Sequence, residues 1–238
     1  MARFGGGYRS WDKVPGHPVC DVDLAVDSLL RERLAAIDPD AGWLSEETRD
    51  SAERLLRTRT WVVDPIDGTR DYLRGRPGWC ISVGLVEGGM PVLGVLDAPA
   101  RGERWTGMAG QGARCNGERL RASGRVDLAG ARVPADALPR ADRDFVMVAK
   151  PNSIALRMAM VAAGEADLVA TLRWGNEWDI AAAALIAKEA GAQVSDALGQ
   201  PLAFNRPQPQ AFGVLITAPG LHAAAVDRLR DRAVAALA

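Results

Sequence analysis

The segment Trp61-Val62-Val63-Asp64-Pro65-Ile66-Asp67-Gly68-Thr69 constrains this chain more than any other. A β-branched run ends in two carboxylates, with a proline between them and Gly-Thr behind. Val62 and Val63 predict the end of a buried strand. Pro65 donates nothing to a sheet ladder and fixes its own φ, so the strand is expected to stop there. The turn that follows can aim Asp64 and Asp67 at one point and turn the Ile66 carbonyl toward it. Oxygen ligands on a short bend suit a hard dication such as Mg²⁺. Gly68 lets backbone approach a ligand closely. Thr69 offers a hydroxyl and a backbone N–H at a helix start, a seat for phosphate. Asp-Pro and Asp-Gly are also ordinary turn formers, so this segment alone leaves metal binding and a plain turn both open.

Two further segments carry acids. Gly42-Trp43-Leu44-Ser45-Glu46-Glu47-Thr48 sets paired glutamates behind an apolar run, and a solvated helix start is the commoner meaning of Glu-Glu. Glu177-Trp178-Asp179-Ile180 leads into an Ala-rich stretch that ends at Gly191. Asp179 at its start reads as an N-cap or first-turn acid without invoking function. In this order, the three motifs resemble the inositol monophosphatase superfamily of Mg²⁺-dependent, lithium-sensitive phosphatases, from about Trp11 to the C terminus. The match implies that Glu46, Asp64, the Ile66 carbonyl, Asp67 and Asp179 are the ligands of two or three Mg²⁺ ions. Pro18-Val19-Cys20-Asp21-Val22-Asp23-Leu24 resembles an earlier family segment and implies that Asp23 cooperates with Thr69.

The resemblance also implies a chemistry. Metal ions neutralise a phosphate monoester, acidify a bound water and stabilise charge on the departing oxygen, with no covalent phosphoenzyme. Glu46, Asp64 and the Ile66 carbonyl would hold the water-activating ion. Asp64 would bridge to a second ion held with Asp67 and Asp179 facing the ester oxygen, and a largely water-ligated third would touch Glu46. Thr69, oriented by Asp23, would position or deprotonate the attacking water, and the Gly68 and Thr69 amides would grip phosphate oxygens. Clustered carboxylates repel one another, so the site is expected to be loose without metal.

Within the superfamily the chain resembles the bacterial 3′(2′),5′-bisphosphate nucleotidases most. Gly68-Thr69 continues as Arg70-Asp71-Tyr72, a basic residue, an acid and an aromatic as in nucleotidase relatives, where inositol monophosphatases usually show Thr-Asn-Phe. Arg173-Trp174-Gly175 precedes Trp178-Asp179, and inositol phosphatases generally place a hydroxyl-binding Glu where Arg173 falls. An arginine accepts no hydrogen bond but can grip a second phosphate with its planar fork. A surface charge is the plain alternative for Arg173, and Trp174 reads either as a base-stacking platform or as a core or lid residue. The expected substrate contacts are Asp67, Gly68, Thr69, Arg173 and Asp179. The expected reaction converts adenosine 3′,5′-bisphosphate to AMP and phosphate, with inositol 1-phosphate as the alternative substrate. A non-catalytic regulatory binding protein on the same fold is the rival from another class.

Some positions depart from the family pattern. Cys20 and Val22 replace the usual Thr and Ala. Asn152-Ser153-Ile154 replaces a Gly-Ser turn, which is expected to survive because Asn tolerates a left-handed backbone. Met1 to Ser10 is Gly-rich where relatives carry a long helix; an absent helix and a truncated start both remain open, and either is expected to expose apolar surface without removing a ligand.

The 238 residues allow one compact catalytic unit of two halves, 1–135 with most ligands and 136–238 with Asp179, divided in the Pro- and Asp-rich stretch from Val133 to Asp144. Lys and Arg number 29 against 30 Asp and Glu, so there is no electrostatic footprint for nucleic acid. Cys20, Cys80 and Cys115 are widely spaced, which argues for a reducing compartment and against a disulfide framework or zinc site. His17 and His222 are expected on the surface. No apolar run reaches membrane-spanning length and Met1 to Ser10 lacks a signal-peptide core, so a cytoplasmic enzyme without membrane partners is expected. Homodimers are usual in the family; nothing in these residues demonstrates one. Helices are expected over Asp23–Ile37, Ile154–Ala163, Asp179–Ala190 and Leu221–Leu237. Strands are expected at Trp61–Asp64, Cys80–Val86, Pro91–Leu96, within Trp105–Asn116, at Phe145–Ala149 and at Val214–Thr217. This alternation fits the α/β class, and the resemblance implies a layered α-β-α-β-α sandwich.

Overall fold

The computed structural model describes residues 1 and 3–237. A hairpin of β1 (Ser10–Val14) and β2 (His17–Cys20) leads into α1 (Asp21–Ile37). Then come β3 (Gly42–Ser45), β4 (Arg59–Asp67), α2 (Thr69–Leu73), β5 (Cys80–Glu87), β6 (Met90–Ala98), β7 (Glu103–Met108), β8 (Gly112–Cys115) and β9 (Glu118–Arg119). After β10 (Arg132–Pro134) and β11 (Val146–Val148) follow α3 (Ile154–Ala162), β12 (Leu168–Asn176), α4 (Ala181–Glu189), β13 (Gln193–Ser195), β14 (Gln210–Thr217) and α5 (His222–Leu237). β3 to β9 form a seven-stranded sheet in chain order, antiparallel except for the parallel β3–β4 pair. β12, β14 and β13 form a three-stranded antiparallel sheet in that order.

Strand alternation assigns the faces. Trp61 and Val63 of β4 point to one side, where Leu30 and Leu34 of α1 pack on them, while Val62 points into the main core on the other. α3 and α4 fill the space between the two sheets. Ala225 and Leu229 of α5 close the outer face of the small sheet against Leu168 and Leu215. The layers therefore run α-β-α-β-α, as the resemblance implies.

The Ala-rich composition of α4 has a physical cause. Gly84, Gly94 and Gly107 lie opposite one another on β5, β6 and β7 and form a trough. A Cβ added at Gly94 would stand 2.6 Å from the Ala182 carbonyl oxygen. The helix backbone lies directly on the sheet, and only small side chains fit beneath it. The residues just before α4 are thereby carried to the end of β4 and β5, where the Ser82 hydroxyl donates to the Trp178 carbonyl at 3.3 Å.

Three expectations are corrected. β4 does not stop at Pro65 but continues to Asp67, because the register jumps from Asp64 opposite Ser82 to Asp67 opposite Cys80. Pro65 sits in that bulge, where no ladder N–H is needed. α4 begins at Ala181 with Ile180 at its N-cap, so Asp179 precedes the helix and does not cap it. Asn152 does not take up a left-handed conformation; the turn is closed instead by Ser153, whose hydroxyl caps α3 by accepting from Leu156 N at 2.9 Å. The helix expected over Asp23–Ile37 is present as α1, with Leu30 and Leu34 on the sheet and Leu24 and Ile37 40% and 71% exposed. Phe4 and Tyr8, from the Gly-rich start, pack on Tyr72 and Trp79 beside α2. Among the described residues, no helix is long and apolar enough to cross a membrane.

Candidate active site

The parallel pairing of β3 with β4 brings the first acid to the second. Ser45 lies level with Val63, and Glu46 N donates to the Val63 carbonyl at 3.3 Å, so Glu46 emerges beside Asp64. In a regular strand, residues 64 and 67 would face opposite sides. The bulge at Pro65-Ile66 adds one residue and turns both carboxylates toward one cavity. Asp179 arrives from the segment ahead of α4. One oxygen each from Glu46, Asp64 and Asp179 lies within 4.8 Å of the other two. Oxygens sharing one Mg²⁺ stand at most about 4.2 Å apart at ordinary bond lengths, so small rotamer changes bring these three into range.

The cavity holds about 320 Å³. Its floor is acidic. Its walls carry Gly68, Thr69 and Arg70 at the start of α2, Arg157 of α3, Arg173 and Trp174 of β12, and His17 of the β1–β2 hairpin. His17, expected merely on the surface, thus borders the mouth. Trp174 is no core residue: it is 54% exposed and meets Phe212 edge-on with ring centroids 5.6 Å apart.

Burial raises the pKa of Asp64 well above the ordinary carboxylate range, and the negative charges of Glu46, Asp67 and Asp179 raise it further. Asp179 is raised likewise by burial, then by Asp67 and Glu46, with Arg173 opposing. Lys13, on the hairpin, donates to Glu46 Oε1 at 2.7 Å and to Glu47 Oε1 at 2.8 Å. That single ammonium reaches the edge of the cluster and leaves Asp64 and Asp179 with backbone amides as their hydrogen-bond donors, and with Arg173 the one cation that eases Asp179. An all-oxygen, charge-rich donor set short of cations fits a hard dication.

Asp67 stands beside the triad. Its carboxylate accepts from Ser153 Oγ at 2.5 Å, Ala155 N at 2.7 Å and Ile154 N at 3.3 Å. Burial nevertheless pushes its pKa up to about 6 against those bonds. Ile66 N donates to Asp64 Oδ1 at 2.9 Å, fixing that carboxylate, and the Ile66 carbonyl accepts from Thr69 Oγ1 at 3.0 Å. Thr69 Oγ1 also lies 3.3 Å from Asp23 Oδ1, while Asp23 Oδ2 accepts from Cys20 N at 2.9 Å. Gly68 is needed by the protein itself: its φ is +97°, and a Cβ there would meet the Gly78 carbonyl oxygen at 2.8 Å. Arg173 is exposed on the cavity wall.

Four residues at the site escaped the sequence reading: Lys13, His17, Ser153 as the partner of Asp67, and Arg157. Arg157 left a trace, since it is the one charged residue in the otherwise apolar segment Ile154–Ala162.

With this geometry in hand, comparison with known proteins is informative. The sequence model of the inositol monophosphatase family matches residues 6–237. Over 199 residues the chain is 34% identical to inositol monophosphatase 2 of Solanum lycopersicum, covering 76% of this chain and 75% of the relative. Over 194 residues it is 35% identical to the Nus factor SuhB of Xylella fastidiosa, covering 75% and 69%. Among solved structures, the Thermotoga maritima IMPase superposes with a TM-score of 0.85 at 29% identity, covering 100% of this chain and 93% of that one. The chain belongs to the inositol monophosphatase family, whose members are phosphoric monoester hydrolases.

Proposed function

We propose that the protein is a Mg²⁺-dependent 3′(2′),5′-bisphosphate nucleotidase, with adenosine 3′,5′-bisphosphate as its substrate and AMP and phosphate as products. The observation that carries the phosphatase reading is the convergence of Glu46, Asp64 and Asp179 oxygens within 4.8 Å. The nucleotide preference rests on Arg173 in the wall of the same cavity. When bound, Mg²⁺ supplies charge neutralisation of the phosphate and an acidified water.

The residues divide the work. Glu46, Asp64 and the Ile66 carbonyl would hold one ion; Asp64, Asp67 and Asp179 would hold a second, and Glu46 a third where one binds. Asp67 retains acceptor capacity for this, since its Oδ1 takes only the long bond from Ile154 N. Thr69 has one hydroxyl proton, and Asp23 and the Ile66 carbonyl both lie ready to accept it. With that proton turned inward, the lone pairs of Thr69 Oγ1 face the cavity and accept from an attacking water, which orients it. The Gly68 and Thr69 amides would receive the phosphate oxygens. Arg173 would hold the phosphate that is not cleaved, a role open to a guanidinium and closed to a ring hydroxyl partner.

Phosphate release from adenosine 3′,5′-bisphosphate, inositol 1-phosphate, fructose 1,6-bisphosphate and an aryl phosphate, with and without Mg²⁺, tests this reading. The bisphosphate nucleotide should be preferred, and only with metal. Preference for the inositol ester, the substrate suggested by the name of the Solanum relative, would overturn the use of Arg173. Hydrolysis of none would favour a binding role, the reading suggested by the name of the Xylella relative. Asp67→Asn separates these two: a catalyst stays folded and loses turnover, whereas a binding protein keeps its partner.

A further inference from the structure

Arg157 does not belong to the core that the rest of α3 builds. Its Nε donates to the Pro151 carbonyl at 3.0 Å and its Nη2 to the Asn152 carbonyl at 2.6 Å. Both acceptors are neutral, and two of the five guanidinium N–H groups are used. No ion pair holds Arg157 among the described residues, and it lines the cavity. Arg173, on the same cavity wall, has neither a carboxylate nor a hydrogen-bond partner among the described residues. The two guanidinium groups sense each other. Burial disfavours the charge on Arg157, Asp67 restores part of it, and Arg173 adds to the penalty. Asp136 and Asp71 also favour that charge from further off, but no carboxylate pairs directly with either guanidinium, and two arginines on one cavity wall repel each other until a ligand supplies the missing partner.

We propose that Arg157 and Arg173 together form a subsite for a second phosphate of the substrate, the one that is not hydrolysed, and that Arg157 is a specificity-determining residue. This rests on the phosphatase reading above and adds a residue to it. The cavity is divided by charge: Asp64 and Asp179 form an acidic floor for metal and the scissile phosphate, while the two arginines form a basic wall. A monophosphate satisfies the floor and leaves the wall uncompensated. An organic bisphosphate satisfies both, because the free N–H groups of Arg157 can take phosphate oxygens in a fork. The bonds to Pro151 and Asn152 fix the guanidinium before the ligand arrives, which lowers the ordering cost of binding.

The test uses kcat and KM of the wild type, Arg157→Gln and Arg157→Lys on adenosine 3′,5′-bisphosphate and on 4-nitrophenyl phosphate, which has a single phosphate. Arg157→Gln should raise KM for the bisphosphate by about tenfold to a hundredfold and lower its preference over the aryl ester by a similar factor. Arg157→Lys should recover part of that preference, because charge returns without the fork. Equal loss on both esters would overturn the proposal and leave Arg157 as a support for the Pro151–Asn152 turn. A calorimetric titration with Ca²⁺ in place of Mg²⁺ separates the subsite from turnover. Wild type should bind adenosine 3′,5′-bisphosphate more tightly than adenosine 3′-monophosphate, and Arg157→Gln should erase that difference. If wild type binds the two alike, the subsite is refuted even in an active enzyme. If the difference is present and no ester is hydrolysed, the subsite stands and the phosphatase reading falls.

Discussion

Asp64 and Asp167 are both closed off from solvent, each 1% exposed, yet Asp64 lies the deeper of the two and their chemistry is opposite. Asp167 is surrounded by donors: Arg132 reaches it with Nε at 2.9 Å and Nη2 at 2.7 Å, Arg132 N at 2.8 Å and Ser123 Oγ at 2.6 Å. Burial alone would raise its pKa, but these bonds outweigh it and bring the value down to about 2. Asp64 receives the Ile66 amide and otherwise faces Glu46, Asp67 and Asp179, so burial first and then these negative charges drive its pKa up. The chain itself completes Asp167, tying the 123–132 loop to β12 and its approach. It leaves Asp64 to be completed by something from outside. A buried charge that the fold does not neutralise marks a site built for a ligand, and one that it does neutralise marks a site built for stability.

Exchanging the two carboxylates for amides should separate these roles most sharply. Asp64→Asn is expected to lower kcat/KM by about a thousandfold or more without lowering the stability of the metal-free protein, since it removes repulsion. Asp167→Asn is expected to leave turnover near wild type and to cost about 3 kcal/mol in urea unfolding, because Arg132 loses its partner. If Asp64→Asn unfolds the protein, the contrast fails. Thr69→Val is expected to lower kcat by about a hundredfold or more with little change in KM, while Thr69→Ser keeps most of the rate. An unchanged kcat in Thr69→Val would remove that hydroxyl from the water-positioning role.

Metal should stabilise the first region and not the second. Mg²⁺ at a hundred times its Kd is expected to add about 2.7 kcal/mol to the unfolding free energy of the wild type and of Asp167→Asn, and to add far less in Asp64→Asn. The pH dependence is a smaller effect with a definite sign. Asp64, Asp179, Asp67 (to about 6) and Glu47 (to about 7) have raised pKa values in the fold. The metal-free folded state therefore holds more protons than the unfolded state, and stability falls as pH rises from about 4, the ordinary carboxylate value, to about 7. Asp167 acts the other way: its contribution is present above about 4 and is lost as pH falls toward 2. The metal-free protein should be most stable in mildly acidic solution, and Mg²⁺ should move that optimum upward. Urea midpoints across pH, with chelator and with Mg²⁺, measure both slopes; identical profiles would contradict the role given to the acidic cluster.

Much of the first region could be read along the chain because its residues are local in type and motif. Val62, Val63, Asp64, Asp67 and Thr69 lie within one strand and the turn behind it, and the strand alternation alone separates Val62 from Trp61 and Val63. What could not be read depends on distant partners. Ser153 meets Asp67 across 86 positions, and Lys13 meets Glu46 across 33, with no local pattern to announce either. Pro65 misled because a proline ends a regular strand but is tolerated in a bulge, and only the partner register reveals the bulge. Propensity predicts a helix over Asp179–Ala190, which the structure trims to Ala181–Glu189, but the reason for its alanines lies in glycines of three separate strands. Arg157 was hidden by the apolar residues around it, since an averaged apolar pattern passes over one charge on one face.

The most direct measurement is anomalous diffraction from crystals of the protein soaked in Mn²⁺, which substitutes for Mg²⁺ and can be located on its own. The account predicts an anomalous peak bonded to oxygens of Glu46, Asp64 and Asp179 together, at roughly 2.0–2.4 Å from each. Well-ordered crystals with no peak between these residues, or with Mn²⁺ bound only elsewhere on the surface, would contradict it.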